Sequence, residues 1–325
     1  MNDQPRKKPP APASTDSART FMTADRLSWP PEIPWPTAPD DALWFHPGSN
    51  IALDFHGDPV QAGVTVLSDG NHHMALGQAL QEFTGAHPDS GGVFYATLPP
   101  PLLLQILQHG ALRLANLRLP LTPQLLISPP EFFDQLARSG RPVSHAPFMR
   151  SRGNVLLVRK GNPKLVHDIG ALCRDDVRLF ISNPHTEAAS HAVYRDTLLQ
   201  LCRIRKLDAA AMAARLLGTD GQVLHGQTIH HREAPQAIAS GQADVAILYY
   251  HLALRYTRIF PKFFEIVALD GRNPQPDSSP WNVTSRFHAG MVGDGGRWGR
   301  LLLDHMMSSR VTEIYHGHGL LRPDE

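Results

Sequence analysis

"VTVLSDGNHHMALGQALQEF" (residues 64–83) is where the chain first becomes regular, and its reading decides the fold. VTVL is a short, β-branched strand. Met74, Leu76, Ala79, Leu80 and Phe83 then fall at helical spacing. Between strand and helix, five positions hold a carboxylate, an amide and two imidazoles: Asp69, Asn71, His72 and His73. The same grammar recurs downstream. Strand "VFYAT" (93–97) leads through prolines into helix "PLLLQILQHG", stopped by Gly110, and strand "QLLIS" (124–128) runs into Pro129, Pro130 and helix "EFFDQLARSG". Three strand–turn–helix units without hairpin signals imply a mainly parallel sheet flanked by helices. In such sheets ligands sit where the turns gather at the carboxyl ends of the strands.

A second series follows. It comprises strand "GNVLLVRKGNP" (153–163), a helix around Val166–Cys173, strand "VRLFISNP" (177–184), a helix from about Ala188 to Cys202, a further helix, and the buried strand "ADVAILYY" (243–250). Its turns, "SNPHTEAAS" and "YYHLA", also follow strands. Two α/β halves that each present strand-end turns make a cleft between them.

The rest of the chain sets bounds. At 325 residues, 42% of them hydrophobic, it is long enough for two domains. Lys plus Arg total 31 against 30 Asp plus Glu, so the net charge of +1 supplies no field for nucleic acid or an acidic membrane. Histidine is the outlier, at 18 residues. Cys173 and Cys202 read as small core residues in a reducing compartment, with one disulfide as the alternative. No apolar run approaches the roughly 20 residues of a membrane span. The basic N-terminus lacks an apolar h-region, which places the protein in the cytoplasm, or in the periplasm if the true start differs. Eleven of the 29 prolines fall in the first 60 residues. Residues 1–26 read as a disordered tail. Residues 27–61, with Trp29, Trp35, Trp44 and Phe45, read as an arm packing on the fold, and Gly48–Leu53 reads as a plain turn or an anion-binding helix start.

With these pieces in order, the chain resembles the type II periplasmic-binding-protein fold, and within it the molybdate-type substrate-binding proteins. That family carries a "DVFIS" strand, an "RNRLVLVVPKGNP" crossover, an "IAIGDP" turn, a "GEADVGIVY" strand and a closing "FLLSPEAQAILEKYGF". This chain has "QLLISPP" (124–130), "FMRSRGNVLLVRKGNP" (148–163), "RLFISNP" (178–184), "GQADVAILYYHLA" (241–253) and "LLLDHMMSSRVTEIYHGHGL" (301–320). The resemblance spans about residues 62–321. It implies an α/β, two-lobed fold with lobe 1 at 62–144 plus 268–325, lobe 2 at 159–248, and hinge crossovers at 145–158 and 249–267. It also implies a binding protein rather than an enzyme, with no cofactor, whose partners are a small-molecule or oxyanion ligand and transporter or molybdoenzyme-related proteins.

By the same resemblance the ligand set is Ser68, Asp69, Asn71, His72, His73, Ala96, Thr97, Ser128, Ser182, Asn183, His185, Thr186, Tyr249 and Tyr250. Hydroxyls and helix-start N–H groups in such a site hold an oxyanion without cations. Asp69 departs from the family, because a carboxylate close to an oxyanion repels it unless turned away. Asp69 or Asn71 could instead cap the following helix. Neutral histidines with acidic partners suit a transition metal, for which the alternative set is Asp69, His72, His73, His185, Glu187 and His251. His230, His231, His316 and His318 read as solvated, and Arg150 and Arg152 as hinge-surface charge. Three functions follow: an oxyanion receptor, an effector-sensing domain of the same fold, and a metal-dependent enzyme. No helix-turn-helix segment supports the second, and no HExxH spacing supports the third.

Overall fold

The structure is a computed structural model. It describes residues 54–324 apart from Gly70, Asn71, Pro99, Ala115, Asn116, Pro142, Thr219, Thr228, Asp277 and Ser278. The expected tail, the arm up to residue 53, the Gly48–Leu53 turn and Asn71 lie outside the described residues.

In chain order the first half contains β1 (Asp54–His56), β2 (Val64–Ser68), α1 (His73–Ala86), β3 (Val93–Thr97), α2 (Pro100–His109), β4 (Ala111–Leu114), β5 (Leu117–Pro120), β6 (Leu125–Ser128), α3 (Pro130–Arg138) and β7 (Ser144–Ser151). Next come β8 (Asn154–Arg159), β9 (Leu179–Ile181), α4 (Ala188–Ile204), α5 (Ala209–Leu216), β10 (Val223–His225), α6 (His230–Ala239), β11 (Val245–Tyr249), α7 (Tyr250–Ile259) and β12 (Phe264–Val267). The chain closes with β13 (Arg286–Met291), α8 (Gly296–Met306), α9 (Ser309–Gly317) and β14 (Leu320–Leu321).

Two larger sheets organise these elements. One has seven strands in the order β1-β3-β2-β6-β13-β7-β14, and the other has five in the order β10-β9-β11-β8-β12. The parallel ladders are β3-β2-β6 and β10-β9-β11. The remaining pairings in both sheets are antiparallel, so each sheet is mixed rather than mainly parallel. The antiparallel members include the strands that enter from or leave for the other lobe. Such strands arrive without a βαβ turn to set them parallel.

Every residue of β2 is buried because both faces of its sheet are covered. Val64 and Val66 pack with Leu76, Ala79, Leu80 and Phe83 of α1. Leu67 faces the opposite cluster with Phe94, Leu126 and Phe133. The period of two in the strand and the helical spacing in α1 thus meet in one layer. In the five-stranded sheet, Leu156 and Val158 pack on one face and Val155 and Leu157 on the other.

The first change of lobe is sharp. β7 belongs to the seven-stranded sheet and β8 to the five-stranded one, so the crossing falls at Arg152 and Gly153. Gly153 takes φ +121°, and a Cβ there would stand 2.7 Å from the Asn282 side chain. The second change lies later than the sequence reading placed it. β12 pairs with β8, and α7 packs on β8, β11 and β12, so 249–267 belongs to lobe 2 and the return runs between Val267 and Arg286. The short β12 completes the edge of a sheet instead of bridging two.

Other expectations also change. Cys202 is buried, but Cys173 is exposed, and both are free. Among the described residues no helix is long and apolar enough to cross a membrane.

Candidate functional site

Three strand ends of lobe 1 lie side by side. Ser68 ends β2 in register with Thr97 of β3, and Asp69 N–H donates to the Ile127 carbonyl at 2.7 Å, which sets it beside Ser128 at the end of β6. Leu98 N–H donates to the Ser68 carbonyl at 2.8 Å. Lobe 2 repeats the device with Ser182 after β9, His225 at the end of β10 and Tyr249 at the end of β11. Burial pushes the phenol of Tyr249 in lobe 2 up to about 12, and the charge of Asp69 in lobe 1 adds to that push.

The turn after β2 is braced by a relay. Tyr315 Oη stands 2.9 Å from His72 Nδ1, His72 Nε2 stands 2.7 Å from Ser68 Oγ, and Ser68 Oγ–H donates to the Asp69 carbonyl at 2.9 Å. One proton assignment satisfies all three bonds: Tyr315 donates to Nδ1, and Nε2–H donates to Ser68. Burial, with repulsion from His251 and His73, drives the His72 pKa down to about 3, so a neutral ring in that tautomer fits. The Ser68 hydroxyl is thereby committed inside the protein. His72, and not Asp69 or Asn71, is the N-cap residue of α1, and its own side chain makes no capping hydrogen bond.

Ser128 and Ser182 differ from Ser68. Both are fully buried, and neither hydroxyl has a hydrogen-bond partner among the described residues. Asn183 holds the following turn by accepting from the N–H groups of His185 (2.9 Å) and Thr186 (3.4 Å), while its own Nδ2 donates to the Gly226 carbonyl. The His185 and Thr186 side chains point into an exposed region. Ser182 also presents its carbonyl to His191 Nδ1 at 2.7 Å.

Tyr249 Oη lies 2.8 Å from Ser285 Oγ, on the return crossover. Tyr250 is core: its N–H donates to the Gly153 carbonyl and its ring packs among apolar side chains of lobe 2. Ala96 likewise gives its side chain to the core beside Leu67 and Phe94.

The alternative metal set is not assembled. Among the described residues no three or more His, Cys, Asp and Glu side chains converge to hold a metal ion. Glu187 is occupied at the start of α6, where its Oε2 accepts from His230 N–H at 3.0 Å, and burial raises its pKa to about 7. His185 is exposed, whereas His251 stacks on Tyr249 with ring centroids 5.6 Å apart.

Several histidines sit where the sequence did not place them. His230 and His231 are buried at 1% and 6% exposure, not solvated, because α6 turns them inward and His230 stacks on Phe180. His318 is half-buried and only His316 is exposed. Arg150 is buried rather than a surface charge. Tyr315, Ser285, His191 and His225 were missed altogether. Only His191 carried a signal, following the "SNPHTE" turn by one helical turn.

Burial holds His230, like His72, down at about pH 3. A histidine whose folded pKa is lowered contributes stability that is complete above the unfolded value near 6.5 and is lost as pH falls toward 3. Relative to wild type, His230→Phe should therefore gain about 1.4 kcal/mol per pH unit across that window. Urea melts at pH 7, 5.5 and 4.5 check this, and a constant difference would mean that His230 is not neutral in the fold.

Comparison with known proteins fits this geometry. Residues 64–321 match the family described as bacterial extracellular solute-binding protein. The chain belongs to this family. Among solved structures, this solute-binding protein superposes on the sulfate-binding protein of Mycobacterium tuberculosis with TM-score 0.58 at 16% identity, covering 80% of this chain and 87% of that one. It superposes on the periplasmic molybdate-binding protein of Azotobacter vinelandii with TM-score 0.54 at 16% identity, covering 80% and 99%. Peb3 from Campylobacter jejuni gives 0.55 at 14% identity, also covering 80% and 99%. The two-lobed type II periplasmic-binding-protein fold follows from these matches. One short stretch is more similar in sequence: 57 residues are 42% identical to the thiosulfate-binding protein of Escherichia coli, which is 18% of this chain and 16% of that protein.

Proposed function

We propose that this solute-binding protein traps a small tetrahedral oxyanion of the molybdate or tungstate type between its lobes, as a receptor or sensor. The observation that carries the reading is the pair of buried serine hydroxyls without protein partners, Ser128 from lobe 1 and Ser182 from lobe 2, each at the carboxyl end of a parallel ladder. A buried hydroxyl left unbonded costs free energy, and an oxyanion accepting from it removes that cost. Hydroxyls donate to the oxygens of such an anion as neutral groups, and a hydrogen bond to a charged acceptor is stronger than one between neutral partners. The molybdate-, sulfate- and thiosulfate-binding proteins among the relatives support the same class of ligand.

Asp69 sets the electrostatic limit. Its charge lies near Tyr249 at the meeting of the lobes, and it disfavours an approaching dianion. Asp69→Asn should therefore preserve or raise oxyanion affinity. Calorimetry against molybdate, tungstate, sulfate, thiosulfate, zinc and nickel tests both points. The oxyanion reading expects one of the first four to bind tightly and Asp69→Asn to bind it at least as well. Tight binding of zinc or nickel alone, abolished by Asp69→Asn, would replace it with a metal-binding function.

A further inference from the structure

We propose that the recess walled by the first residues of β8 and by the return crossover is a second binding site, taking a neutral cyclic polyol of monosaccharide size. It lies apart from the strand-end turns, since Ser68, Ser128, Ser182 and Tyr249 are not among its lining residues. Its volume is about 180 Å³. A cavity of about 150 Å³ accommodates a benzene ring, so this one has room for a single six-membered ring with substituents but not for a ligand of drug size.

The walls divide by polarity. Val155, Ala268 and Leu269 supply an apolar floor, because Val267 pairs with Leu156 and the chain leaving β12 runs on beside Val155. Trp281 extends that floor: it packs on the lobe 2 core and stays half-buried, so part of its indole is open. The polar wall is Asn273, Gln275 and Ser279. Asn273 Oδ1 accepts from Gln275 N–H at 3.0 Å, which fixes this turn. Asn273 Nδ2, the Gln275 side-chain amide and the Ser279 hydroxyl make no hydrogen bond to another described residue. They leave both donors and acceptors available.

No net charge faces the space. Asp270 and Arg272 are the charged residues that line it, and they neutralise each other: Arg272 Nε donates to Asp270 Oδ2 at 2.7 Å and Arg272 N–H to Oδ1 at 3.1 Å. Asn154 and Asn282 line it too, with their amides bonded to each other. Among the described lining residues no uncompensated charge remains to hold a dianion or a metal ion. Such walls match a molecule with one apolar face and a hydroxyl edge. A pyranose or cyclitol ring has both, since its axial C–H bonds lie against the electron-rich face of an indole while its equatorial hydroxyls exchange hydrogen bonds with amides around the rim.

Titration calorimetry of the full chain with glucose and myo-inositol, beside the anion glucuronate and the cation glucosamine, tests the site. The Ser128→Ala/Ser182→Ala background removes the interlobe contacts. There we expect a neutral polyol to bind with a Kd of about 1 mM or tighter, the level that ligand efficiency allows for about twelve heavy atoms. Adding Gln275→Ala/Ser279→Ala, which removes two neutral hydrogen bonds, should weaken it about tenfold. Gln275 is exposed and Ser279 half-buried, so this variant should keep its thermal midpoint. Trp281→Leu should weaken binding about fivefold and Trp281→Phe less, because the flat face is kept. Absence of binding by both neutral polyols, binding indifferent to Gln275→Ala/Ser279→Ala, or a preference for glucuronate or glucosamine over glucose would overturn the proposal. If Trp281→Leu does not fold, the Gln275→Ala/Ser279→Ala result decides alone. With the serines restored, Gln275→Ala/Ser279→Ala should leave molybdate binding unchanged, so the two sites fail separately.

Discussion

Ser128→Ala/Ser182→Ala should weaken oxyanion binding by at least about a hundredfold while leaving the ligand-free protein as stable as wild type or more stable. Each hydroxyl is fully buried and has no hydrogen-bond partner among the described residues. A buried polar group in that state costs about 1–3 kcal/mol, which alanine removes. With the ligand bound the sign reverses. A hydrogen bond to a charged group contributes about 1.5–3 kcal/mol, so two lost together amount to at least about 3 kcal/mol, roughly a hundredfold in Kd. Thermal melts with and without molybdate, beside isotherms on the same samples, separate the two effects. A variant that loses stability without ligand, with its affinity intact, would make these serines structural.

Asn154→Ala should cost about 2–3 kcal/mol of stability, since it leaves buried partners of the lost amide unpaired. Asn154 opens β8 just after the first crossing. Its Nδ2 donates to Thr197 Oγ1 at 2.8 Å, to Asn282 Oδ1 at 3.0 Å and to the Val283 carbonyl at 3.0 Å. Asn282 Nδ2 donates back to the Asn154 carbonyl, and Val283 N–H donates to Thr197 Oγ1. One amide thus fastens both crossovers to α4. Asn282→Ala should cost a similar amount, and the two losses should add to less than their sum because they share partners. Urea unfolding of the two single variants and the double variant measures this. Fully additive losses would mean that the crossovers are held independently.

Much of this architecture could be read from local pattern. The residues of β2 and α1 alternate and repeat as their layer requires, and the strand-end positions of the serines at 128 and 182 follow from the same local pattern, whereas their part in a ligand set is what the family resemblance implies. The second crossover was not legible, because Phe264–Val267 is a four-residue run whose partner, β8, lies a hundred residues earlier. The role of Ser68 was hidden for a similar reason. Its hydroxyl is held through His72 by Tyr315, 243 positions beyond that histidine, and no spacing near the turn signals it. The inward histidines of α6 were misread because "IHHRE" looks like a polar turn, while the fold lays it across Phe180. Site chemistry that depends on two distant segments meeting is a property of the lobes together.

The most direct test of the central claim is anomalous diffraction at the molybdenum edge from crystals grown with molybdate. One strong peak is expected between the lobes, with oxyanion oxygens within hydrogen-bond distance of Ser128 Oγ and Ser182 Oγ. A crystal saturated with molybdate that shows no peak there, or a peak that neither serine touches, would contradict it.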